Sequence, residues 1–458
     1  MLITDPASGD AIADLADDDA ETISEAYVAA RSAQPAWAAR PMAERIDAVR
    51  KFRAQLVYRL DELAAILTRE TGKPITQARN EINGVLARID FFIDEVERVV
   101  ADEVVLDDPD LSIGLREVIS HEPLGVVANI SAWNYPYFVG LNVIVPALLT
   151  GNAVLYKPSE LAAMTGQAIG DMLWGAGVPR EVFAVVIGDG RAGAALLDQP
   201  LEAVFFTGSY ATGRRIAETL AGRLVQLQLE LGGKDPVYVA PDVDVAAAAE
   251  SLADGAFYNA GQSCCSVERI YVHESIHDGF VDAFVAVADA LVIGDPDEEA
   301  TYIGPLTRAA QLDVLDAQVA DALAKGATLG TGGGRVAGRD GWFLPTVITG
   351  VDHDMAVMRE ESFGPIIGIQ RVADDDEALA LMNDTRYGLT AGVYTADEGR
   401  ARAMLAKVSV GSAYWNCCDR VSPRLPWSGR GHSGTGSTLS TYGIATFTRP
   451  KAWHLRTT

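Results

Sequence analysis

GVVANISAWNYPYFVGLNVIVPALLTGNAVLYKPSE, residues 125–160, is the stretch whose reading decides the fold. An apolar run at 126–130 opens it and another at 153–156 closes it. The 20 residues 137–156 carry no charge, a length that invites a membrane-span reading. Gly140, Asn142, Pro146, Gly151 and Asn152 interrupt the run, however, and a helix crossing a bilayer does not carry so many breakers. The stretch reads as a strand, a buried helix, a turn and a second strand. Strands apolar on both faces and joined by helices belong to a parallel sheet covered on both sides.

The same alternation continues outward. Further apolar runs at 183–187, 203–206 and 225–229 extend the sheet, and a second α/β region follows, with strands expected at 236–239, 269–272, 366–370, 392–394 and 408–412. Upstream, residues 22–98 show apolar positions at three- and four-residue spacing, such as Val49, Phe52, Leu56, Leu60 and Leu63, the mark of amphipathic covering helices. Residues 103–118 change to short apolar runs around Asp107-Asp108-Pro109-Asp110 and predict a projecting polar hairpin. The final run, 444–455, contains Pro450 and therefore predicts an edge strand.

At 458 residues the chain is long enough for about three domains. With 49% hydrophobic and 22% charged residues it is neither disordered nor fibrous. A net charge of −26 argues against nucleic acid or an anionic membrane as a partner. The four cysteines form two adjacent pairs, Cys264-Cys265 and Cys417-Cys418, without the spacing of a zinc site, and no metal is expected. Residues 1–10 lack the basic and apolar segments of a leader, so the expected compartment is the cytoplasm.

Four motifs carry chemistry. Gly188-Asp189-Gly190-Arg191-Ala192-Gly193 follows a strand and opens a helix, the context of a dinucleotide fingerprint; Phe206-Thr207-Gly208-Ser209 offers a second strand-to-helix turn whose N–H groups suit a pyrophosphate. Each is equally readable as a tight turn without a ligand. Gly261-Gln262-Ser263-Cys264 places a cysteine in a loop, and Glu230-Leu231-Gly232-Gly233-Lys234 places a carboxylate at a strand end beside two glycines that permit close approach. Together they suit a thiolate nucleophile and its base. Taken singly, a buried cysteine and a buried glutamate are more often structural.

These blocks, with Ala132-Trp133-Asn134-Tyr135-Pro136, Lys157-Pro158-Ser159-Glu160, Glu361-Ser362-Phe363-Gly364-Pro365 and Asn416, resemble in content and order the motifs of the aldehyde dehydrogenase superfamily, over nearly the whole chain. The resemblance implies an α/β fold with a Rossmann-like NAD-binding domain (1–100 and 124–232), an α/β catalytic domain (233–441) and a small β oligomerisation element (101–123 and 442–458) that makes a homodimer or homotetramer. It implies Cys264, rather than Cys265, as nucleophile, Glu230 as the base for hydrolysis and Asn134 as oxyanion donor. For the cofactor it implies Ile130, Ser131, Trp133, Lys157, Glu160, Phe206, Gly208, Ser209, Thr212, Leu231, Gly232, Glu361 and Phe363. Gly190 is then an adenine-side turn. Glu160 would accept from a ribose 2′-hydroxyl and repel a 2′-phosphate, favouring NAD over NADP.

The reaction so implied is oxidation of a small-molecule aldehyde to its acid through a thiohemiacetal and a thioester. A coenzyme A-acylating relative is a poorer match because such members usually lack the Glu230 equivalent, and a catalytically silent relative would not need Asn134, Glu230 and Cys264 together. The chain departs from the family pattern at Val267-Glu268 and at Pro426-Trp427-Ser428-Gly429-Arg430, near the substrate mouth. Tyr135 and Trp427, with Asp419, suggest a box for an amino- or betaine-type aldehyde. Asn142 stands where the family often has a third aromatic, and a general aliphatic, aromatic or semialdehyde substrate is the alternative.

Overall fold

The computed structural model describes residues 1–108 and 114–456. Its centre follows the pattern of residues 125–160: strand Val126–Ile130, helix Pro136–Leu149 and strand Ala153–Lys157, with every residue of both strands buried. The polar breakers have structural work. Asn129 donates to the Gly140 carbonyl at 3.1 Å, while Asn152 accepts from Gly125 N–H at 2.9 Å and donates to the Phe447 carbonyl at 3.0 Å. Among the described residues no helix is long and apolar enough to cross a membrane.

Five parallel strands build the first sheet, in the order Gln226–Glu230, Ala203–Thr207, Val126–Ile130, Ala153–Lys157, Phe183–Val185. The chain winds one way from Val126–Ile130 and then restarts on its other side with Ala203–Thr207. A crevice therefore opens at the carboxyl ends of these two neighbours, where open α/β sheets bind ligands. The second sheet has seven strands, ordered Thr328–Thr331, Thr346–Thr349, Ile366–Val372, Val267–His273, Asp235–Val239, Thr390–Tyr394, Ser412–Trp415, all parallel except the first. A separate apolar core lies around it.

Helices Ala20–Ala38, Met42–Tyr58, Leu60–Thr71 and Ile75–Val99 fill the predicted helical stretch. In the last, Ala78, Ile82, Val85, Ile89, Phe92 and Val96 are buried at three- and four-residue intervals and form one stripe against the first core. Glu81 and Arg88, seven residues apart, are also buried on this helix.

The projecting element is a three-stranded antiparallel sheet in which Leu115–Pro123 lies between Glu103–Asp108 and Thr448–Arg456. Pro109 and Asp110, expected at the hairpin turn, lie outside the described residues, as do 457 and 458. Pro450 sits opposite His121 on an edge strand, as its missing N–H requires.

Two sequence expectations are corrected, and one connection was not foreseen. The strand placed at 408–412 forms instead at Ser412–Trp415, because Lys407 and Val408 N–H close the end of helix Glu398–Leu405 on the Met404 and Leu405 carbonyls. Val408 and Val410 are buried, but as part of a turn. The terminal strand begins at Thr448, since Ile444 belongs to helix Ser440–Ala445. Finally, Gly434–Thr435 crosses back to the first sheet, antiparallel to Gln226–Glu230, and Trp427, Leu439, Ile444 and Phe447 pack in the first core.

Candidate active site

Between the carboxyl end of the first sheet and the loops that enter strands Val267–His273 and Ile366–Val372 of the second lies a cavity of about 820 Å³ whose wall includes Asn134, Glu230 and Cys264. Cys264 is held by a loop in which Asn259, Ala260 and Gly261 all have left-handed backbones, with φ of 54°, 54° and 71°. A Cβ on Gly261 would stand 2.3 Å from the Gly364 carbonyl oxygen, so only glycine lets the cysteine loop press on the Glu361–Pro365 segment. Gln262 ties the loop down: its Oε1 accepts from Thr307 N–H at 3.0 Å and its Nε2 donates to the Asn259 carbonyl at 3.2 Å.

Asn134 approaches this loop from the first sheet, donating from Nδ2 to the Gln262 carbonyl at 3.1 Å. Its own carbonyl accepts from Lys73 Nζ at 2.7 Å and from Asn259 Nδ2 at 3.3 Å. Lys73 in turn is paired with Glu81, both fully buried. Glu81 Oε1 accepts from Tyr137 N–H at 2.8 Å, supplying the cap that Tyr135 does not give helix Pro136–Leu149. An amide with one N–H fixed and its backbone clamped twice is a pre-aimed donor.

Glu230 ends its strand, opposite Thr207 on one side and Gly434 on the other. Its Oε1 accepts from Gln228 Nε2 at 2.8 Å and, more tightly, from the Thr438 hydroxyl. Burial nevertheless pushes its carboxyl up to about 7, so near neutral pH it can both take and return a proton. Gly233, three residues beyond the strand's end, passes so close to Cys264 that a Cβ there would lie 2.8 Å from the Cys264 carbonyl oxygen. The neighbouring Cys265 is buried and donates its thiol to Asp419 Oδ1 at 2.9 Å. Its contact with the Cys264 thiol and then its burial push the thiol far up, away from thiolate chemistry.

The expected dinucleotide residues fall along the crevice. Ile130 ends its strand; Ser131 N–H donates to the Lys157 carbonyl at 3.0 Å. Lys157 is buried, with Glu160 Oε2 4.0 Å from its Nζ. Gly190 begins helix Gly190–Leu197, capped by Asp189. Ser209 caps helix Tyr210–Leu220 by accepting from Thr212 N–H, and Phe206 is buried in the strand before it. Trp133, Leu231, Glu361 and Phe363 join the cavity wall. Trp133 and Phe363 meet edge to face at 5.6 Å, and Glu361, pushed up to about 8 by burial, accepts from Gly233 N–H at 3.1 Å. The residues fit a dinucleotide: a Cβ at Gly208 would stand 2.5 Å from the Phe206 ring, and one at Gly232 would stand 2.1 Å from Glu361 Oε1, so both glycines keep the floor of the crevice open.

The model of the aldehyde dehydrogenase family matches residues 1–453. The chain belongs to that family. It is 36% identical, over 100% of its own length and 93% of the relative's, to 3,6-anhydro-α-L-galactose dehydrogenase of Streptomyces coelicolor. It is 35% identical to the non-phosphorylating aspartate-semialdehyde dehydrogenase of Halomonas elongata, covering 99% and 92% of the two chains. An NADP-dependent enzyme of E. coli superposes with a TM-score of 0.96 at 31% identity, over 99% and 94% of the chains. Betaine aldehyde and aminoaldehyde dehydrogenases are further relatives, and solved relatives bind NAD or NADP. This chain is accordingly an oxidoreductase acting on aldehydes.

In this aldehyde dehydrogenase the supporting shell is what sequence reading missed. Glu81 and Arg88 are charged residues on the buried face of a covering helix, and Lys73 is a buried charge in the segment just before it, a detectable anomaly. Glu268, noted only as a departure, accepts from Ser362 and Phe363 N–H at 2.8 and 3.0 Å and pairs with buried Lys234 at 2.5 Å, fixing the segment that carries Glu361. Asn416 bridges the backbone of Thr395 through both side-chain atoms and is structural. Tyr135, Asn142, Asp419 and Trp427 do line the cavity, but one face of the Tyr135 ring is taken by Lys73 Nζ at 3.9 Å, Asp419 is engaged by Cys265, and Asn142 accepts from Arg88.

Proposed function

We propose that this enzyme oxidises an aldehyde and water to a carboxylate, with NAD as the oxidant, through covalent catalysis at Cys264. The observation that carries this reading is the convergence of Asn134, Glu230 and Cys264 on one cavity, with Glu230 poised near neutrality. The Cys264 thiolate adds to the aldehyde carbon, and the oxygen takes up negative charge against the Asn134 amide and the Cys264 N–H. NAD, when bound, accepts the hydride that leaves this carbon. Glu230 then removes a proton from water, the hydroxide adds to the thioester carbon, and the thiolate departs as the carbon–sulfur bond breaks. Net, one aldehyde, one water and one NAD⁺ give one carboxylate, one NADH and two protons.

Lys157 and Glu160 would hold the adenosine ribose, the Gly208–Ser209 turn the pyrophosphate, and Glu361 with Phe363 the nicotinamide side. The half-exposed Glu160 carboxylate would repel a 2′-phosphate, which supports NAD over NADP. An assignment of residues up to 100 and 124–232 to the cofactor domain, 233–441 to the catalytic domain and the three-stranded sheet to self-association belongs to the same reading. Exposed Val104, Val105, Trp453 and Leu455 on that sheet support a homodimer or homotetramer. Four unpaired cysteines suit a cytoplasmic setting. An amino- or betaine-type aldehyde finds aromatic walls in Tyr135 and Trp427, but the Lys73 and Arg88 charges beside them weigh against a cationic substrate.

NADH formation with a panel of aldehydes tests the proposal. Activity with NAD exceeding that with NADP is expected, with Cys264→Ser inactive and Cys265→Ser retaining most turnover. The opposite result for the two cysteines would overturn the assignment.

A further inference from the structure

A buried cation stands in the wall of the substrate end of this cavity. Arg88 projects from helix Ile75–Val99 into the wall shared with Cys264 and is 6% exposed. Its Nη1 donates to Asn142 Oδ1 at 3.1 Å, and its guanidinium carbon stands 3.8 Å over the Phe138 ring. Among the described residues no carboxylate hydrogen-bonds to it: Glu81, two turns earlier on the same helix, is paired with Lys73, Asp419 holds the Cys265 thiol, and these two and Glu230 act on it only through space. Burial lowers the guanidinium to about 10, which leaves it fully charged at neutral pH.

A desolvated cation without a hydrogen-bonded anion gains from one that meets it directly. Of its five N–H donors only one is used among the described residues. That bond also orients Asn142, because an amide whose oxygen accepts from Arg88 has its Nδ2 left to donate elsewhere. The two side chains thus present a planar fork and an adjacent N–H donor to the cavity, a set that matches the oxygens of a carboxylate. The Phe138 ring covers one face of the fork and restricts its orientation.

We infer that Arg88 and Asn142 form an anion subsite for the tail of the substrate, so that the preferred aldehydes are those bearing a carboxylate, the semialdehydes of short dicarboxylic acids. The inference rests on the aldehyde-oxidising reading of the cavity and adds to it the residues that select among aldehydes.

The test compares kcat/KM for 4-oxobutanoate and 5-oxopentanoate with that for their methyl esters and for 4-aminobutanal, in the wild type, Arg88→Met and Arg88→Lys. The wild type is expected to prefer at least one carboxylate over its ester by tenfold or more, and 4-aminobutanal least. Arg88→Met should erode that ratio by roughly 30- to 100-fold, with Arg88→Lys between the two. Should Arg88→Met not fold, inhibition of ester oxidation by succinate in the wild type, competitive with the aldehyde, provides the same reading. Ester oxidation without carboxylate preference, equal losses for ester and carboxylate in Arg88→Met, or preference for the amine would overturn the subsite. A wild type that oxidises none of these aldehydes would instead overturn the reading beneath it.

Discussion

Glu230 shows how a single residue's surroundings set its chemistry. A carboxylate in water ionises near pH 4, too weak a base to activate water efficiently at neutral pH. Here burial raises it to about 7, while the Thr438 hydroxyl and the Gln228 amide pull the other way by stabilising the charged form. When thioester hydrolysis limits turnover, kcat should therefore rise with pH through an apparent pKa near 7. Thr438→Val removes one stabilising donor from the ionised state, so the limb should move to higher pH, by about one unit. A kcat–pH profile of the variant that overlays the wild type would show that Thr438 does not tune the base. Neither effect is visible in sequence, because Thr438 lies 208 residues from Glu230 and comes to it only through the pairing of Gly434 with Glu230.

At the scale of elements, the oxyanion donor is positioned by a junction between two helices and a loop. Lys73, at the turn into helix Ile75–Val99, clamps the Asn134 carbonyl, and Glu81 on that helix pairs with Lys73 while capping helix Pro136–Leu149. Glu81→Ala would leave a buried ammonium and two helix-end N–H groups without their partner. A loss of about 3–5 kcal/mol in stability is expected, read by denaturant unfolding, together with reduced kcat as Asn134 loosens. A change within about 0.5 kcal/mol would mean the junction carries little. The elements themselves were largely legible: doubly apolar runs gave the strands of the first sheet, and three- and four-residue spacing gave the covering helices. Periodicity failed at 408–412, where buried valines belong to a turn, since burial alone does not say which backbone hydrogen bonds are made. The ion pairs Lys73–Glu81 and Lys234–Glu268 escaped because a pattern of apolar positions does not reveal which charges meet.

Across the whole molecule, the carboxyl end of the first sheet meets the loops that enter strands Val267–His273 and Ile366–Val372 of the second in one cavity, and the chain crosses it repeatedly. The first sheet supplies Asn134 and Glu230, the loop before Val267–His273 supplies Cys264, and the Glu361–Pro365 segment presses on that loop at Gly261. The tail then returns through Trp427 and Gly434–Thr435 to lock Glu230 from behind. Motif and order singled out Asn134, Glu230 and Cys264, which share one cavity wall; the return of the tail was not legible, since a two-residue strand leaves almost no periodic signal. This architecture assigns acyl transfer to Cys264 and hydrolysis to Glu230 as separable events. The most direct test is rapid mixing of Glu230→Gln with aldehyde and NAD, followed by intact-protein and peptide mass spectrometry. The account predicts a burst of up to one NADH per site, slow turnover thereafter and an acyl adduct on Cys264. Absence of the burst and of the adduct, or undiminished steady-state turnover, would contradict it.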